Sequence, residues 1–221
     1  IQVTTINPVV GECNDSGLNM IRERIIGLNE VRSAVRDAKR DFEEGAVGAG
    51  TGTVCFGLKG GIGSASRQFT AGGSTYTVGA LVQSNFGSTK NLVICGEPVG
   101  RALEKKIKPA DLDRGSIMTV IATDLPLSDR QLKRVIRRAG VGLSRTGSFM
   151  GHGSGDIMIG FTTANRIPES TDQEVLTIRV LKESSLDTAF TAAAEAVEEA
   201  VLNSLAMAET TVGYQGEIRY S

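Results

Sequence analysis

The chain has 221 residues, of which 24 are basic and 25 are acidic, so its formal net charge at pH 7 is −1. This length can bury a substantial core. No basic cluster is interleaved with aromatic residues, which argues against nucleic acid as a partner. No apolar run approaches the ~18 residues of a membrane helix, which argues against a membrane-spanning protein.

The cysteines and the single histidine restrict the chemistry. Cys13, Cys55 and Cys95 are widely spaced and form no Cys-x-x-Cys pair, so we expect small packed side chains rather than a disulfide framework or a zinc site. His152 is the only histidine. A Ser-His-Asp hydrolase, or a metal site built on several histidines, would have to use that residue or do without it. We expect no metal and no other cofactor.

The first 45 residues predict a strand and a helix. Weak alternation over residues 1–10 predicts a strand that enters a turn at 11–15. Asn29 is a candidate N-cap for a helix over about 30–43, which ends before Gly45. Its predicted apolar stripe consists of Val31, Ala34, Val35 and Ala38.

Glycine is concentrated between residues 45 and 100, beginning with the string at 47–63. Gly48, Gly50 and Gly52 do not complete a Gly-x-Gly-x-x-Gly motif, because position 53 is Thr, and no Gly-Lys-Ser/Thr opens a helix. A strand with residues 54, 56 and 58 on one face is predicted instead. We interpret the glycines as positions where a ligand or another strand approaches the backbone closely.

Alternation and apolar runs predict the middle strands. Residues 75–84 read as a half-buried strand that ends at Asn85, and residues 92–95 as a short strand. Residues 116–123 form an apolar, β-branched run that predicts a buried strand. Asn in a turn usually bonds its own backbone, but at a strand end Asn85 could also donate to an oxyanion.

The remaining residues predict two helices and one more strand. Ser128-x-x-Gln131 is a capping box before a helix over about 129–143. A glycine-rich turn at 147–156 leads to a strand at 157–161, and an alanine-rich amphipathic helix covers about 185–208. A polar tail at 209–221 is predicted to dock on the sheet. One domain of the α+β class, or a layered αββα arrangement, fits this order.

The bond between Gly115 and Ser116 lies where a charged loop meets the buried strand. Cleavage there would give Ser116 both a hydroxyl nucleophile and a free α-amine. The alternative is that Gly115 ends a loop and Ser116 begins a strand, and the dipeptide alone favours that alternative.

Several strings across the whole chain together resemble the L-aminopeptidase/D-esterase family, which is DmpA-like and includes the β-aminopeptidases. They are Pro8-Val-Val-Gly-Glu12, Val47-Gly-Ala-Gly-Thr-Gly52, Val54-Cys-Phe-Gly-Leu-Lys-Gly-Gly-Ile-Gly63, Gly115-Ser-Ile with Ala122-Thr-Asp-Leu-Pro-Leu127, and Gly153-Ser-Gly-Asp156. Each glycine string alone is unspecific, but the combination is specific.

The resemblance implies a self-processing N-terminal-nucleophile hydrolase with the αββα sandwich shared with ornithine acetyltransferases. The chain would be a single catalytic domain, 1–221, that lacks the family's N-terminal segment. Cleavage between residues 115 and 116 would leave an α chain ending at Gly115 and a β chain of residues 116–221. An assembly of several αβ units, with the two chains of one precursor in each unit, is expected, in the cytoplasm or alternatively in the periplasm.

The resemblance also assigns roles to residues. Ser116 matches the nucleophile, and Asn85 matches the amide that stabilises the oxyanion. Ser154 and Asp156 match the hydroxyl and carboxylate that position the nucleophile, although some relatives have Glu in the latter place. Relatives often carry an aromatic residue in the turn where this chain has Cys13-Asn14, a difference that bears on substrate contacts.

The function implied is an aminopeptidase or amidase that releases N-terminal residues from short peptides, amides or esters through an acyl-enzyme. Two alternatives stay open. An acyltransferase of the ornithine acetyltransferase type shares the fold but uses a threonine nucleophile. A non-catalytic relative that only binds or assembles is the other.

Overall fold

The structure is a computed structural model that describes residues 7–110, 112–168 and 172–221. Strands and helices are mixed along the chain, as expected for the α+β class. The strands are β1 (Val54–Cys55), β2 (Leu58–Lys59), β3 (Gly61–Ala71), β4 (Ser74–Asn85), β5 (Arg114–Thr123), β6 (Gly153–Thr162), β7 (Thr211–Val212) and β8 (Ile218–Arg219). The helices are α1 (Leu28–Arg36), α2 (Gly100–Leu103), α3 (Asp129–Ile136), α4 (Ala139–Arg145) and α5 (Asp187–Ala206).

The central sheet has the strand order β3-β4-β5-β6. β3 and β4 form a long antiparallel hairpin across Gly72 and Gly73, both of which have positive φ. β5 pairs antiparallel with β4 and parallel with β6. The predicted strands at 75–84 and 116–123 are confirmed, and the strand with the Gly115–Ser116 bond at its start lies inside the sheet.

The two faces of the sheet differ in burial. On β5 the side chains at 117, 119, 121 and 123 are buried, whereas those at 116, 118, 120 and 122 are half-buried. The buried set lies on the face that the helices cover. On the opposite face Leu81, Ile157 and Phe161 are 39%, 52% and 52% exposed. We call this second surface the open face.

Helix α5 covers the buried face at close range, and it confirms the predicted alanine-rich helix. Small residues permit the approach: a Cβ added at Gly63 of β3 would lie 2.0 Å from the Ala200 carbonyl oxygen. Helix α4 packs on α5 in the same way, because a Cβ added at Gly142 would lie 2.4 Å from the Ala194 carbonyl oxygen. Backbone contact of this kind excludes larger side chains at both glycines. No helix of the described ranges is long and apolar enough to cross a membrane.

The glycine-rich string forms a tight β1–β2 hairpin rather than the single strand predicted over 54–58. Phe56 and Gly57 have φ of +51° and +82°, so the chain reverses between Cys55 and Leu58. The reading of close backbone approach is confirmed, with backbone as the neighbour. A Cβ at Gly50 would lie 2.7 Å from the Gly45 carbonyl oxygen.

The predictions for the first 45 residues are wrong in part. The helix predicted over 30–43 is the shorter α1, which begins after Gly27, so Asn29 lies inside it and is not its N-cap. Its apolar stripe does not pack on the described residues, and Val35 is 75% exposed. Residues 7–10 have no regular structure, and residues 1–6 of the predicted strand lie outside the described residues.

Two further predicted elements differ from the structure. Residues 92–95 do not form the predicted strand. A turn at 94–97 is closed by the Ile94–Glu97 bridge and has Cys95 and Gly96 at positive φ. Cys95 is exposed, whereas Cys13 and Cys55 are buried as predicted.

The helix predicted over 129–143 divides into α3 and α4. Its capping box is confirmed: the Gln131 N–H donates to Ser128 Oγ at 3.3 Å, and the Ser128 N–H donates to Gln131 Oε1 at 3.1 Å. Strand β6 begins at Gly153, so the end of the predicted turn at 147–156 is already paired with β5.

The C-terminal tail forms the β7–β8 hairpin and docks on the β1–β2 hairpin rather than on the central sheet. The contact is made by the Lys59 N–H, which donates to the Tyr220 carbonyl oxygen at 2.7 Å.

Candidate active site

Ser116 lies at the start of β5, between the end of β4 and the start of β6. Its Cα pairs with that of Asn85 on one side and with that of Gly155 on the other. The Ser116 side chain points to the open face, because it belongs to the half-buried set of β5. Gly155 shares this face, since a Cβ added there would lie 3.5 Å from Ser116 Cβ. Directly paired residues share a face, so Asn85 points the same way.

Asn85 is almost completely buried and its amide orientation is fixed from both ends. Oδ1 accepts from the Val54 N–H at 2.9 Å, and Nδ2 donates to the Asn14 carbonyl oxygen at 3.0 Å. An amide nitrogen carries two protons, so Nδ2 keeps a second donor. The expected oxyanion amide is therefore beside Ser116 and held in one orientation.

Gly115 adopts a conformation that favours glycine. Its φ is +122°, and a Cβ added there would lie 1.9 Å from the Asn85 carbonyl oxygen. Both the backbone angle and the space therefore require the absence of a side chain. The same close contact brings the carbonyl side of the 115–116 bond beside the strand that carries the amide.

Residues 11–14 cross the open face next to Ser116. A Cβ added at Gly11 would lie 2.4 Å from the Met118 side chain. Cys13 is buried, and its thiol donates to the Gln83 carbonyl oxygen with the atoms 3.5 Å apart. Burial raises the pKa of the Cys13 thiol, and a hydrogen bond with the Ser116 side chain acts in the opposite direction. Cys13 thus touches the predicted nucleophile, a role that sequence reasoning missed.

Ser154 and Asp156 lie on the face opposite to the Ser116 side chain. They flank Gly155, and side chains alternate between faces along a strand. Ser154 Oγ donates to Asp156 Oδ1 at 3.0 Å. Desolvation raises the pKa of Asp156; the Ser154 hydrogen bond opposes this shift, and the negative charge of Asp113 adds to it. The pair therefore flanks the backbone of residues 115–116 and is not in line with the hydroxyl.

Lys59 is the second residue that sequence reasoning missed. It lies in the β1–β2 hairpin, and its side chain is fully buried. Nζ donates to the carbonyl oxygens of Gly50, Thr53 and Gly60 at 2.7, 2.9 and 2.7 Å. Burial lowers the pKa of Lys59 to about 8, against the raising effects of Asp15 and the Cys55 thiol. The burial of Lys59 is not visible in the sequence, because its partners are backbone carbonyl oxygens.

Among residues 7–110, 112–168 and 172–221, no group of three or more His, Cys, Asp or Glu could hold a metal ion. His152, the only histidine, is exposed at the turn before β6.

The family model for peptidase family S58 matches residues 1–219. The chain belongs to peptidase family S58. It is 39% identical over 227 aligned positions to the β-peptidyl aminopeptidase BapA of Sphingosinicella microcystinivorans, an alignment that covers 95% of this chain and 57% of that protein.

Solved structures of similar proteins share the fold. The PH0078 protein of Pyrococcus horikoshii is 51% identical with a TM-score of 0.91, over 100% of this chain and 61% of that one. The L-aminopeptidase D-Ala-esterase/amidase of Ochrobactrum anthropi is 38% identical with a TM-score of 0.84, over 93% of this chain and 57% of that one. The latter is described as a variant of the Ntn hydrolase fold, so the expected fold class is confirmed. The chain spans about three fifths of the length of these proteins.

Proposed function

We propose that this S58 peptidase chain belongs to a self-processing aminopeptidase or amidase with Ser116 as its N-terminal nucleophile. The observation that carries the proposal is the position of Ser116. It lies near the start of an inner strand of the sheet, follows a glycine that tolerates no side chain, and is the strand partner of Asn85, whose side chain is buried. A carbonyl carbon attacked by the Ser116 hydroxyl would place its oxygen on the open face beside that amide.

The same hydroxyl would serve two reactions. In the precursor it would attack the Gly115 carbonyl carbon, and breakage of the C–N bond would leave an ester on Ser116 Oγ and release the Ser116 α-amine. Water would then hydrolyse the ester, which frees the hydroxyl and leaves a carboxylate on Gly115. In the mature protein the hydroxyl would attack the carbonyl carbon of a bound substrate and form an acyl-enzyme, which water would then hydrolyse. An α-amine has a reference pKa near 8, so it can accept the hydroxyl proton near neutral pH without histidine.

Asp156 would act on the amine and not on the hydroxyl. The backbone nitrogen of Ser116 lies in the plane of the sheet, so it can be reached from the face that carries Ser154 and Asp156. A carboxylate near an ammonium favours the charged form. The pair would therefore hold the new N-terminus in place, and the amine would also satisfy a carboxylate that desolvation and Asp113 now destabilise.

The proposed substrates are small molecules with a free N-terminus and a carbonyl carbon that the Ser116 hydroxyl can attack. Similarity to a β-peptidyl aminopeptidase and to an L-aminopeptidase D-Ala-esterase/amidase supports short peptides, amides or esters with a free N-terminus. The p-nitroanilides of L-alanine and β-alanine, together with D-alanine amide, separate these preferences. We also propose a homo-oligomer of αβ units, which sedimentation of the processed protein tests.

The first test is intact-mass analysis of the purified full-length protein. We expect two chains, one of which begins at Ser116. A single chain with an uncleaved 115–116 bond and no hydrolysis would instead support a non-catalytic relative. Transfer of acetyl from N-acetylornithine to glutamate would support the acyltransferase alternative. The serine at position 116 argues against that alternative, because those acyltransferases use a threonine nucleophile.

Replacing Asn85 by Ala should lower kcat by roughly 10²- to 10³-fold, the usual cost of one oxyanion donor. The KM should change little, because the interaction strengthens only in the transition state. Steady-state hydrolysis of L-alanine p-nitroanilide measures both. Gln83→Ala is the matched control: its amide lies on the same strand and face but bonds the Ala49 carbonyl oxygen. A wild-type kcat in Asn85→Ala would refute the oxyanion role.

Replacing Asp156 by Asn should move the acid limb of kcat/KM to lower pH. Removal of the carboxylate charge lowers the pKa of the Ser116 α-amine, so the free base forms at lower pH. A pH profile of kcat/KM from pH 5 to 9 measures the shift. Asp156→Glu keeps the charge and should leave the limb near its wild-type position. An unchanged limb in Asp156→Asn would show that this carboxylate does not act on the base.

A further inference from the structure

Three buried groups form one chain of hydrogen bonds that ends at the Asn85 amide. Lys59 Nζ donates to the carbonyl oxygen of Thr53 at 2.9 Å. The Thr53 carbonyl and the Val54 N–H belong to the same peptide group, and this N–H donates to Asn85 Oδ1 at 2.9 Å. A lysine ammonium is therefore connected to the side chain of Asn85 through a single peptide group.

The ammonium fixes the peptide unit in place. All three protons of Lys59 are used, because Nζ also donates to the carbonyl oxygens of Gly50 and Gly60. The Gly50 carbonyl oxygen also accepts from Thr53 Oγ1 at 3.0 Å, and the Thr53 carbonyl oxygen also accepts from the Gly60 N–H at 3.0 Å. Residues 50–60, which we call the Lys59 loop, are thus held together around one cation.

Backbone contacts hold the Lys59 loop against β4 and the residue that follows it, on both sides of Asn85. A Cβ added at Gly60 would lie 2.4 Å from the Ser84 carbonyl oxygen, and the Phe56 N–H donates to the Phe86 carbonyl oxygen at 2.7 Å. Backbone contacts on both sides of Asn85 therefore transmit the position of the loop to the amide.

The chain of hydrogen bonds also has an electronic consequence. A cation on the Thr53 carbonyl oxygen polarises the peptide unit and makes the Val54 N–H a stronger donor. A stronger donor on Oδ1 in turn makes the Nδ2 protons of Asn85 more positive. One of those protons is bound by the Asn14 carbonyl oxygen, and the other is the donor assigned above to the oxyanion.

We propose that Lys59 is a positioning residue for the reaction, which orients and polarises the Asn85 oxyanion donor through the Thr53–Val54 peptide group. The inference rests on the proposed function and deepens it. Lys59 touches neither the nucleophile nor the substrate in this scheme, since its three donors are all taken by backbone carbonyl oxygens.

A double-mutant cycle in the full-length protein tests the coupling. We expect Lys59→Met to lower kcat for L-alanine p-nitroanilide by roughly 10- to 100-fold, the range known for groups that orient metal-ligating side chains, with KM changed by less than about twofold. In the Asn85→Ala background the same change should cost less than about twofold, because the group it acts through is gone. Lys108→Met, an exposed lysine paired with Glu217, is the control.

The outcomes separate this inference from the proposed function. Equal losses from Lys59→Met in both backgrounds, or no loss in the wild-type background, would overturn the positioning role while leaving Asn85 as the oxyanion donor. A wild-type kcat in Asn85→Ala would overturn the oxyanion role itself. If Lys59→Met blocks processing, the rate of 115–116 cleavage in the precursor is compared across the same four variants.

A measurement that leaves Lys59 in place covers the case in which Lys59→Met does not fold. The unprocessed Ser116→Ala protein has no α-amine at position 116, so Lys59 can be titrated without it. Nuclear magnetic resonance should show the Asn85 side-chain amide and the Lys59 side chain titrating with a common midpoint, expected at about 8. The titratable groups that act on Lys59 are Asp15 and Cys55. An Asn85 amide that does not respond while Lys59 titrates would overturn the proposal.

Discussion

Replacing Ser116 by Ala should leave the 115–116 bond intact and abolish hydrolysis. Without the hydroxyl, neither the Gly115 carbonyl carbon nor a substrate carbonyl carbon is attacked. Loss of a serine nucleophile lowers kcat by on the order of 10⁶-fold in a well-studied hydrolase, so the residual rate should be at background. Intact-mass analysis and hydrolysis of the two p-nitroanilides measure the two consequences on one sample.

Ser116→Thr is the control for this change. Threonine keeps a hydroxyl and, after cleavage, an α-amine on the same residue, so we expect processing and reduced but measurable hydrolysis. The additional methyl group would lie on the open face, where residue 116 is half-buried, and not in the helix-covered core. Full activity in Ser116→Ala, or a new N-terminus at position 116 in that variant, would contradict the assigned nucleophile.

Replacing Gly115 by Ala should both destabilise the protein and block processing. A side chain at φ +122° is strained, and its Cβ would lie 1.9 Å from the Asn85 carbonyl oxygen, so the two strands would have to separate. Strain of about 1–3 kcal/mol and overpacking of about 1–3 kcal/mol together predict a loss of about 2–6 kcal/mol in the free energy of unfolding. Chemical denaturation of the unprocessed protein measures the loss, and the rate of chain cleavage measures the effect on chemistry.

Gly79→Ala is the matched control on the same sheet. A Cβ at Gly79 would have its nearest neighbour at 3.8 Å and its φ lies outside the positive region, so alanine should be accepted there. If Gly115→Ala has the same free energy of unfolding and the same rate of chain cleavage as Gly79→Ala, the conformation of residue 115 is not required for stability or processing.

The sequence predicted the parts of the site that lie on clear strands. The apolar run at 116–123 and the alternation at 75–84 placed Ser116 and Asn85 at strand ends, and antiparallel pairing of those ends brings the two side chains together. The pattern of Gly153-Ser-Gly-Asp156 indicates a turn, because glycines hide the alternation of a strand. The face on which Ser154 and Asp156 lie therefore required the structure.

The residue types of Lys59 and Cys13 do not reveal that both lie at the candidate site. The three groups that bind the Lys59 ammonium are backbone carbonyl oxygens, which every residue has, so no partner residue marks the site in the sequence. Cys13 contacts Ser116 across 103 positions of chain through the path of residues 11–14. Helix α1 is the reverse case, because the sequence predicts an apolar stripe there. Periodicity predicts the helix but does not say which part of the protein covers the stripe.

The place of the 115–116 bond in the sheet has a consequence for how the protein is made. β3 and β4 come before the bond, and β6 comes after it together with all of β5 except Arg114 and Gly115. The β4–β5 ladder runs from Val78–Thr123 to Asn85–Ser116. After cleavage, the two halves of one sheet would belong to separate polypeptides held by this ladder and the core beneath it. Unfolding the processed protein would release both chains, and refolding would become a bimolecular reaction that depends on concentration. The unprocessed Ser116→Ala protein would refold as a single chain. If the bond is cleaved as proposed, we therefore expect folding to come first and cleavage second.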